Sequence, residues 1–134
     1  MRYSLKGGSP DKIVTDCLVV SIWANGKLSD EAKILDIKTK KLISVLVSGG
    51  DISGNLGETL ILHQPAGISA KRILLAGAGE KKNFCANSAK KFIESIFKGC
   101  SKLKASSIHL AIGNCEPNDR DRNWLAAQIS QEAE

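Results

Sequence analysis

The segment Cys17-Leu18-Val19-Val20-Ser21-Ile22-Trp23 is a continuous apolar run in which β-branched residues are frequent. A run of this kind, without alternating polar residues, is typical of a strand that is covered on both faces. It therefore predicts a central strand of a sheet. Shorter apolar runs bounded by turn residues predict four further strands, at residues 2–6, 59–63, 72–76 and 107–112.

Apolar residues at helical spacing predict helices between and after these strands. Ser29 and Thr39 are expected to cap the first two helices, Gly49-Gly50 to end the second, and Gly99 to end a third helix over residues 86–98. A fourth helix is expected to begin near residues 119–121. The predicted buried faces are Leu42, Ile43, Leu46 and Val47 in the second helix, Ala89, Phe92, Ile93, Ile96 and Phe97 in the third, and Trp124, Leu125, Gln128 and Ile129 in the fourth.

The alternation of strands and helices predicts an α/β fold with a mixed β-sheet sandwiched between helices. The 134 residues contain no evident repeat or linker, so we expect one domain over residues 1–134. No apolar run approaches the roughly 18–20 residues needed to cross a bilayer. Pro10, Asp11 and Asp16 interrupt the N-terminal segment where a signal peptide would be apolar. We therefore expect a cytoplasmic protein that does not bind membranes.

The formal net charge is +5, which raises the question of nucleic-acid binding. The lysines are spread along the chain, and only two Trp, one Tyr and three Phe are present to stack on bases. A solvated basic surface explains this composition. The alternative is weak, non-specific and salt-dependent contact with the DNA backbone.

The residue types used in catalytic and metal sites do not form a recognisable pattern. Cys17, Cys85, Cys100 and Cys115 include no C-x-x-C pair, and His63 and His109 lie in separate predicted strands. We predict no metal ligand, no catalytic residue and reduced thiols in a reducing compartment. Cys85 precedes the third helix, where it is either a thiol activated by the helix N-terminus or simply a small capping residue.

Two glycine-rich segments are candidates for cofactor binding through backbone N–H groups. Gly49, Gly50 and Gly54 belong to the first, and Gly77 and Gly79 follow the strand at residues 72–76. A complete G-x-G-x-x-G or Walker A pattern is absent. The alternatives are a helix stop followed by a turn for the first segment, and a tight strand-to-helix turn for the second.

An ordered series of segments resembles the N-terminal domain of the leucyl (cytosol) aminopeptidase family. They are Lys41-Leu42-Ile43-Ser44-Val45-Leu46, Gly50-Asp51-Ile52-Ser53-Gly54, Gly57-Glu58-Thr59-Leu60-Ile61-Leu62-His63 and Lys71-Arg72-Ile73-Leu74-Leu75-Ala76-Gly77-Ala78-Gly79-Glu80. The resemblance extends over essentially the whole chain. It implies an α/β sandwich similar to the macro domains that bind ADP-ribose.

The resemblance also carries functional expectations. The family's peptidase centre uses two divalent metals, Zn or Mn, in a separate C-terminal domain whose N-T-D-A-E-G-R segment does not occur here. No metal, cofactor or catalytic residue is therefore expected in this chain, which reads as a non-catalytic domain that ends before the catalytic one. The resemblance implies an assembly or regulatory role, with the catalytic domain and the other subunits of a hexamer as partners. The alternatives are a nucleotide- or ADP-ribose-binding module and a weak DNA-binding surface.

Overall fold

The computed structural model describes residues 2–4, 9–103, 105–112, 115, 117–120 and 122–133. Its strands and helices occur in nearly the predicted order. The strands are β1 (Arg2–Ser4), β2 (Cys17–Trp23), β3 (Lys27–Leu28), β4 (Thr59–His63), β5 (Arg72–Gly79) and β6 (Ser107–Leu110). The α-helices are α1 (Asp30–Lys38), α2 (Leu42–Ser48), α3 (Ala86–Ser101) and α4 (Arg122–Ala133). Short 3-10 turns cover residues 10–12, 24–26 and 81–83.

One mixed sheet joins all these strands, in the order β1-β6-β2-β5-β4, with β3 paired to β2 alone. Strands β1, β6, β2 and β5 run parallel, whereas β4 and β3 are antiparallel to their neighbours. Strand β2 is central and all seven of its residues are buried, as its continuous apolar sequence predicts. The prediction of a mixed sheet in an α/β fold is confirmed.

Alternate residues of the central strands contribute to two separate cores. On one face Val19 of β2 and Leu74 of β5 pack with the apolar side of α3 and α4. On the other face Val20 and Leu75 pack with residues of α1 and α2. Successive side chains of a strand point to opposite faces of the sheet. A strand that is covered on both faces therefore needs an apolar residue at every position.

Helix α3 has the buried face that its sequence predicts, with Phe97 half-buried at the margin. The prediction that Gly99 ends this helix is wrong, because the helix continues to Ser101. A Cβ at Gly99 would lie 3.1 Å from Leu74 Cδ1, so glycine allows the helix to approach the sheet closely. In α4, Leu125 and Ile129 are buried, while Trp124 and Gln128 are only partly covered.

The junction of α1 and α2 confirms one predicted cap and corrects the other. Ser29 caps α1, because its Oγ accepts a hydrogen bond from Ala32 N at 3.2 Å. Thr39 caps no helix start. Its hydroxyl donates back to Leu35 O at 2.7 Å, at the C-terminus of α1. At the start of α2, the backbone N–H of Ser44 instead donates to the carboxylate of Asp36, at 2.9 Å.

The remaining differences from the predictions are small. Strand β1 is described only to Ser4, and β6 ends at Leu110 rather than at residue 112. A turn at Asn25-Gly26, with positive φ at both residues, leads into β3, which is too short to give a sequence pattern. The polar segment at residues 114–118, whose Pro117 predicts a loop, lies partly outside the described residues.

Candidate functional site

The two glycine-rich segments meet at the carboxyl ends of β2 and β5. A Cβ at Gly54 would lie 2.0 Å from Trp23 O, and one at Gly77 would lie 2.0 Å from Asn55 O. Both contacts are far shorter than any real Cβ allows, so these positions require glycine for close backbone approach. Gly79 N donates to Gly54 O at 2.9 Å, which ties the two segments together.

Gly49 and Gly50 have a different role, at the end of α2. Gly49 N donates to Val45 O at 2.9 Å, and Gly50 N donates to Val47 O at 3.1 Å. Gly50 has a φ of 81°, the left-handed conformation that commonly ends a helix. Of the five glycines considered as candidates for cofactor binding, the structure therefore brings together Gly54, Gly77 and Gly79 and places the other two at a helix end.

The side chain of Glu58 occupies the inside of the loop that contains Gly54. Its Oε1 accepts hydrogen bonds from Asn55 N at 2.7 Å, from Ser53 Oγ at 2.9 Å and from Ser53 N at 3.3 Å. Burial opposes ionisation of this carboxyl. The hydroxyl of Ser53 and the N–H groups of Asn55, Ser53 and Gly54 outweigh that effect and hold the pKa of Glu58 below its usual value.

The loop therefore already holds an anion. Converging backbone N–H groups form the kind of concavity that binds phosphate in other proteins. Here a phosphate would have to displace Glu58 from Asn55 and Ser53, while Gly77 N is bonded to Glu58 O at 2.7 Å. That these glycines bind no cofactor stays a prediction, and cofactor binding through their N–H groups stays the alternative.

We expect Glu58→Gln to lower the free energy of unfolding at pH 7 by about 1–2 kcal/mol, because hydrogen bonds to a charged acceptor are stronger than those to a neutral one. The folded-state pKa of Glu58 is lowered, so its stabilisation is complete above the unfolded pKa and is lost as the pH falls through the folded value. The difference between the two proteins should therefore narrow below about pH 4.

Urea titrations of both proteins at several pH values measure this difference. Glu94→Gln, at an exposed position of α3, is the matched control and should change stability by less than about 0.5 kcal/mol. Equal stability of Glu58→Gln and the native chain at pH 7 would contradict the role assigned to the carboxylate.

The histidines and cysteines do not converge on a catalytic centre. His63 is exposed in β4 and His109 is buried in β6; two strands separate them, which corresponds to about 14 Å across the sheet. Cys17, Cys100 and Cys115 are buried free thiols, and burial raises the pKa of Cys115 to about 12. Among the described residues, no three His, Cys, Asp or Glu side chains are grouped as a metal site would require.

Cys85 has the predicted position at the N-cap of α3. Its Sγ lies 3.5 Å from Ser88 Oγ. This hydroxyl, with the N–H groups of Ser88 and Asn87, lowers the pKa of the Cys85 thiol. The position is confirmed, and an activated thiol stays one of the two interpretations.

A basic cleft of about 340 Å³ opens at the carboxyl end of β2. Trp23 lies at its floor, and Lys27, Lys33 and Lys81 contribute side chains to its walls. This cleft is not among the features predicted from the sequence. A signal was available for two of the lysines, because Lys27 follows the Asn25-Gly26 turn and Lys81 follows the end of β5, the edge where α/β sheets bind ligands.

Residues 19–134 match the model of the cytosol aminopeptidase family, N-terminal domain. The chain belongs to this family. Among its relatives is a "Probable cytosol aminopeptidase" of Methylobacillus flagellatus, 32% identical over 134 residues, which cover all of this chain and 27% of that protein. A protein of the same name from Cupriavidus taiwanensis is 36% identical over 110 residues, which cover 82% of this chain and 21% of that protein.

The chain thus spans about a quarter of the length of these cytosol aminopeptidase relatives. It corresponds to their N-terminal domain, as the resemblance implies.

Solved structures confirm the macro-domain-like fold. A macrodomain of Mycobacterium tuberculosis DarG superposes with a TM-score of 0.73 at 10% identity, covering 97% of this chain and 88% of that one. A tomato leucine aminopeptidase mutant superposes with a TM-score of 0.72 at 20% identity, covering 98% of this chain and 27% of that one. At these identities the similarity shows the fold alone.

Proposed function

We propose that this chain is the non-catalytic N-terminal domain of a metal-dependent aminopeptidase that removes N-terminal residues from peptides in the cytoplasm. The observation that carries the proposal is the family match over residues 19–134, in relatives about four times as long. The hydrolysis itself would belong to the remaining three quarters of such a protein.

The donor groups in the described part of the chain do not suit a pair of divalent metals. A two-metal centre needs several carboxylate or imidazole ligands at one place, and the residues with assigned positions form no such group. Zn or Mn would therefore be bound by the catalytic domain, where it activates a water molecule. We assign no catalytic step to residues of this chain.

An assembly role for the domain is supported by apolar side chains at the surface of the α1–α2 layer. Ile37 of α1 is 65% exposed and Val45 of α2 is 63% exposed, while Val14, in the segment before β2, is 86% exposed. Exposed aliphatic side chains of this size are suited to contact with another domain or subunit.

None of the described helices is long and apolar enough to cross a membrane.

The purified 134-residue chain is expected not to hydrolyse leucyl-p-nitroanilide, with or without added manganese or zinc, because its described residues form no metal site. Light scattering on the same sample should give the mass of a monomer or a weak dimer, since a family hexamer would depend on contacts of the catalytic domain. Metal-dependent turnover that disappears when Asp or Glu residues of this chain are replaced would contradict the proposal. A stable hexamer would show that this domain alone directs assembly.

A further inference from the structure

The cleft at the carboxyl end of β2 is lined by lysines from three separate elements. Lys27 lies in β3 and pairs with Trp23 across the hairpin, Lys33 lies in the first turns of α1, and Lys81 follows β5. Lys81 is far from Lys27 and Lys33 in the sequence, and the fold places all three residues around one concavity of about 340 Å³.

The three ammonium groups outnumber the carboxylates that line the cleft. Within the described residues none of Lys27, Lys33 and Lys81 forms a salt bridge, whereas Lys38, Lys41 and Lys71 each pair with an aspartate. The cleft is lined by one carboxylate, that of Asp30. Three like charges around one concavity repel one another, and an anion bound between them would relieve this repulsion.

The floor of the cleft favours a compact anion over a flat aromatic group. Trp23 is only 6% exposed, its ring meets Phe84 edge to face at 5.3 Å between centroids, and Lys81 Nζ lies 5.9 Å from its centroid. The ring therefore has little free surface on which a base could stack. A lysine ammonium acts as a point charge that suits the oxygens of a phosphate.

We propose that this cleft binds the phosphoryl group of a small phosphorylated molecule through Lys27, Lys33 and Lys81. A phosphate monoester carries nearly two negative charges and three acceptor oxygens, which match three ammonium donors better than a single carboxylate does. The N-terminus of α1 begins at the cleft after Ser29; its dipole favours an anion, and the carboxylates of Asp30 and Glu31 in the first turn oppose one. This site is separate from the loop that contains Gly54, where the carboxylate of Glu58 already accepts hydrogen bonds from Ser53 and Asn55.

Titration of the isotope-labelled 134-residue chain with pyrophosphate at constant ionic strength tests the proposal. Saturable shifts are expected for the amides of residues 27–33 and 81, and little change for Ser53–Asn55. The double variant Lys33→Gln/Lys81→Gln should raise the dissociation constant about tenfold or more, because two charge contacts are lost. Lys98→Gln, on the exposed side of α3, keeps the cleft intact and should change it less than about twofold.

Five ligands distinguish recognition of the phosphoryl group from recognition of a whole nucleotide or of a nucleic acid. Pyrophosphate and ADP should bind with similar affinity, inorganic phosphate more weakly, and adenosine not at all. Shifts with adenosine, or only with a DNA duplex, would overturn the proposal. An equal loss of affinity in Lys98→Gln, or an absence of saturation at millimolar pyrophosphate, would also overturn it. None of these outcomes depends on peptide hydrolysis, so the proposed family role is tested separately.

Discussion

Replacing Phe92 by alanine should lower the free energy of unfolding by about 3–5 kcal/mol, the usual cost of truncating a buried aromatic side chain. Phe92 is fully buried in α3 and meets Phe84 edge to face, with 5.8 Å between the ring centroids. The cavity would open in the core between α3 and the sheet. Because typical domains are stable by roughly 5–15 kcal/mol, this loss could unfold a large fraction of the molecules.

A urea titration followed by circular dichroism measures this change. Lys91→Ala is the matched control, because Lys91 is the exposed neighbour in the same helix and its replacement should cost less than about 0.5 kcal/mol. A change below about 1 kcal/mol for Phe92→Ala would contradict the packing described for α3.

The second large effect is expected for Gly77→Ala in β5. The new Cβ would lie 2.0 Å from Asn55 O and 3.0 Å from Gly54 C, and both neighbours are backbone atoms that cannot rotate away. The loop that contains Gly54 would have to move and to release the hydrogen bond between Gly77 N and Glu58 O. We expect a loss of about 3 kcal/mol or more, at the upper end of the usual range for overpacking.

Gly50→Ala is the control variant, because it tests the cost of a left-handed backbone conformation without steric overlap. Gly50 has a positive φ of 81° but nothing lies within 4 Å of the position of a Cβ. Its replacement should cost only about 1–2 kcal/mol, the penalty of the left-handed conformation for an L-residue. Thermal unfolding of the two variants compares them directly. If Gly77→Ala is no more destabilising than Gly50→Ala, the close contact between the two glycine segments is not a constraint on the fold.

The elements that are well predicted from the sequence are those in which a regular pattern of apolar residues extends over many positions. Strand β2 is apolar at nearly every position and α3 repeats apolar residues at helical spacing, so burial of each follows from its own residues. Thr39 lies at the end of α1 rather than at the predicted start of α2, because a hydroxyl can satisfy either a helix start or a preceding carbonyl and the sequence does not distinguish them. The two residues of β3 were too few to show a period.

The candidate site was less predictable because its contacts join distant parts of the chain. Glycine suits both a phosphate loop and a close backbone crossing, and only the position of Asn55 O beside Gly77 distinguishes these roles. Glu58 is an ordinary acidic residue in the sequence, and its hydrogen bonds to Ser53 and Asn55 depend on how the loop closes. In the cleft, Lys81 is likewise brought near Lys27 and Lys33 only by the pairing of β5 with β2.

The bond from Ser44 N to Asp36 makes α2 depend on α1 for its first turn. The N-cap position of α2 is Lys41, which has a φ of 67° and no side-chain hydrogen bond to the helix, so the carboxylate in the preceding helix satisfies a donor that a local cap would otherwise serve. Any fluctuation that unwinds the end of α1 also leaves the start of α2 uncapped. The two helices should therefore open as one cooperative unit, with their amide protons exchanging with solvent at a common free energy.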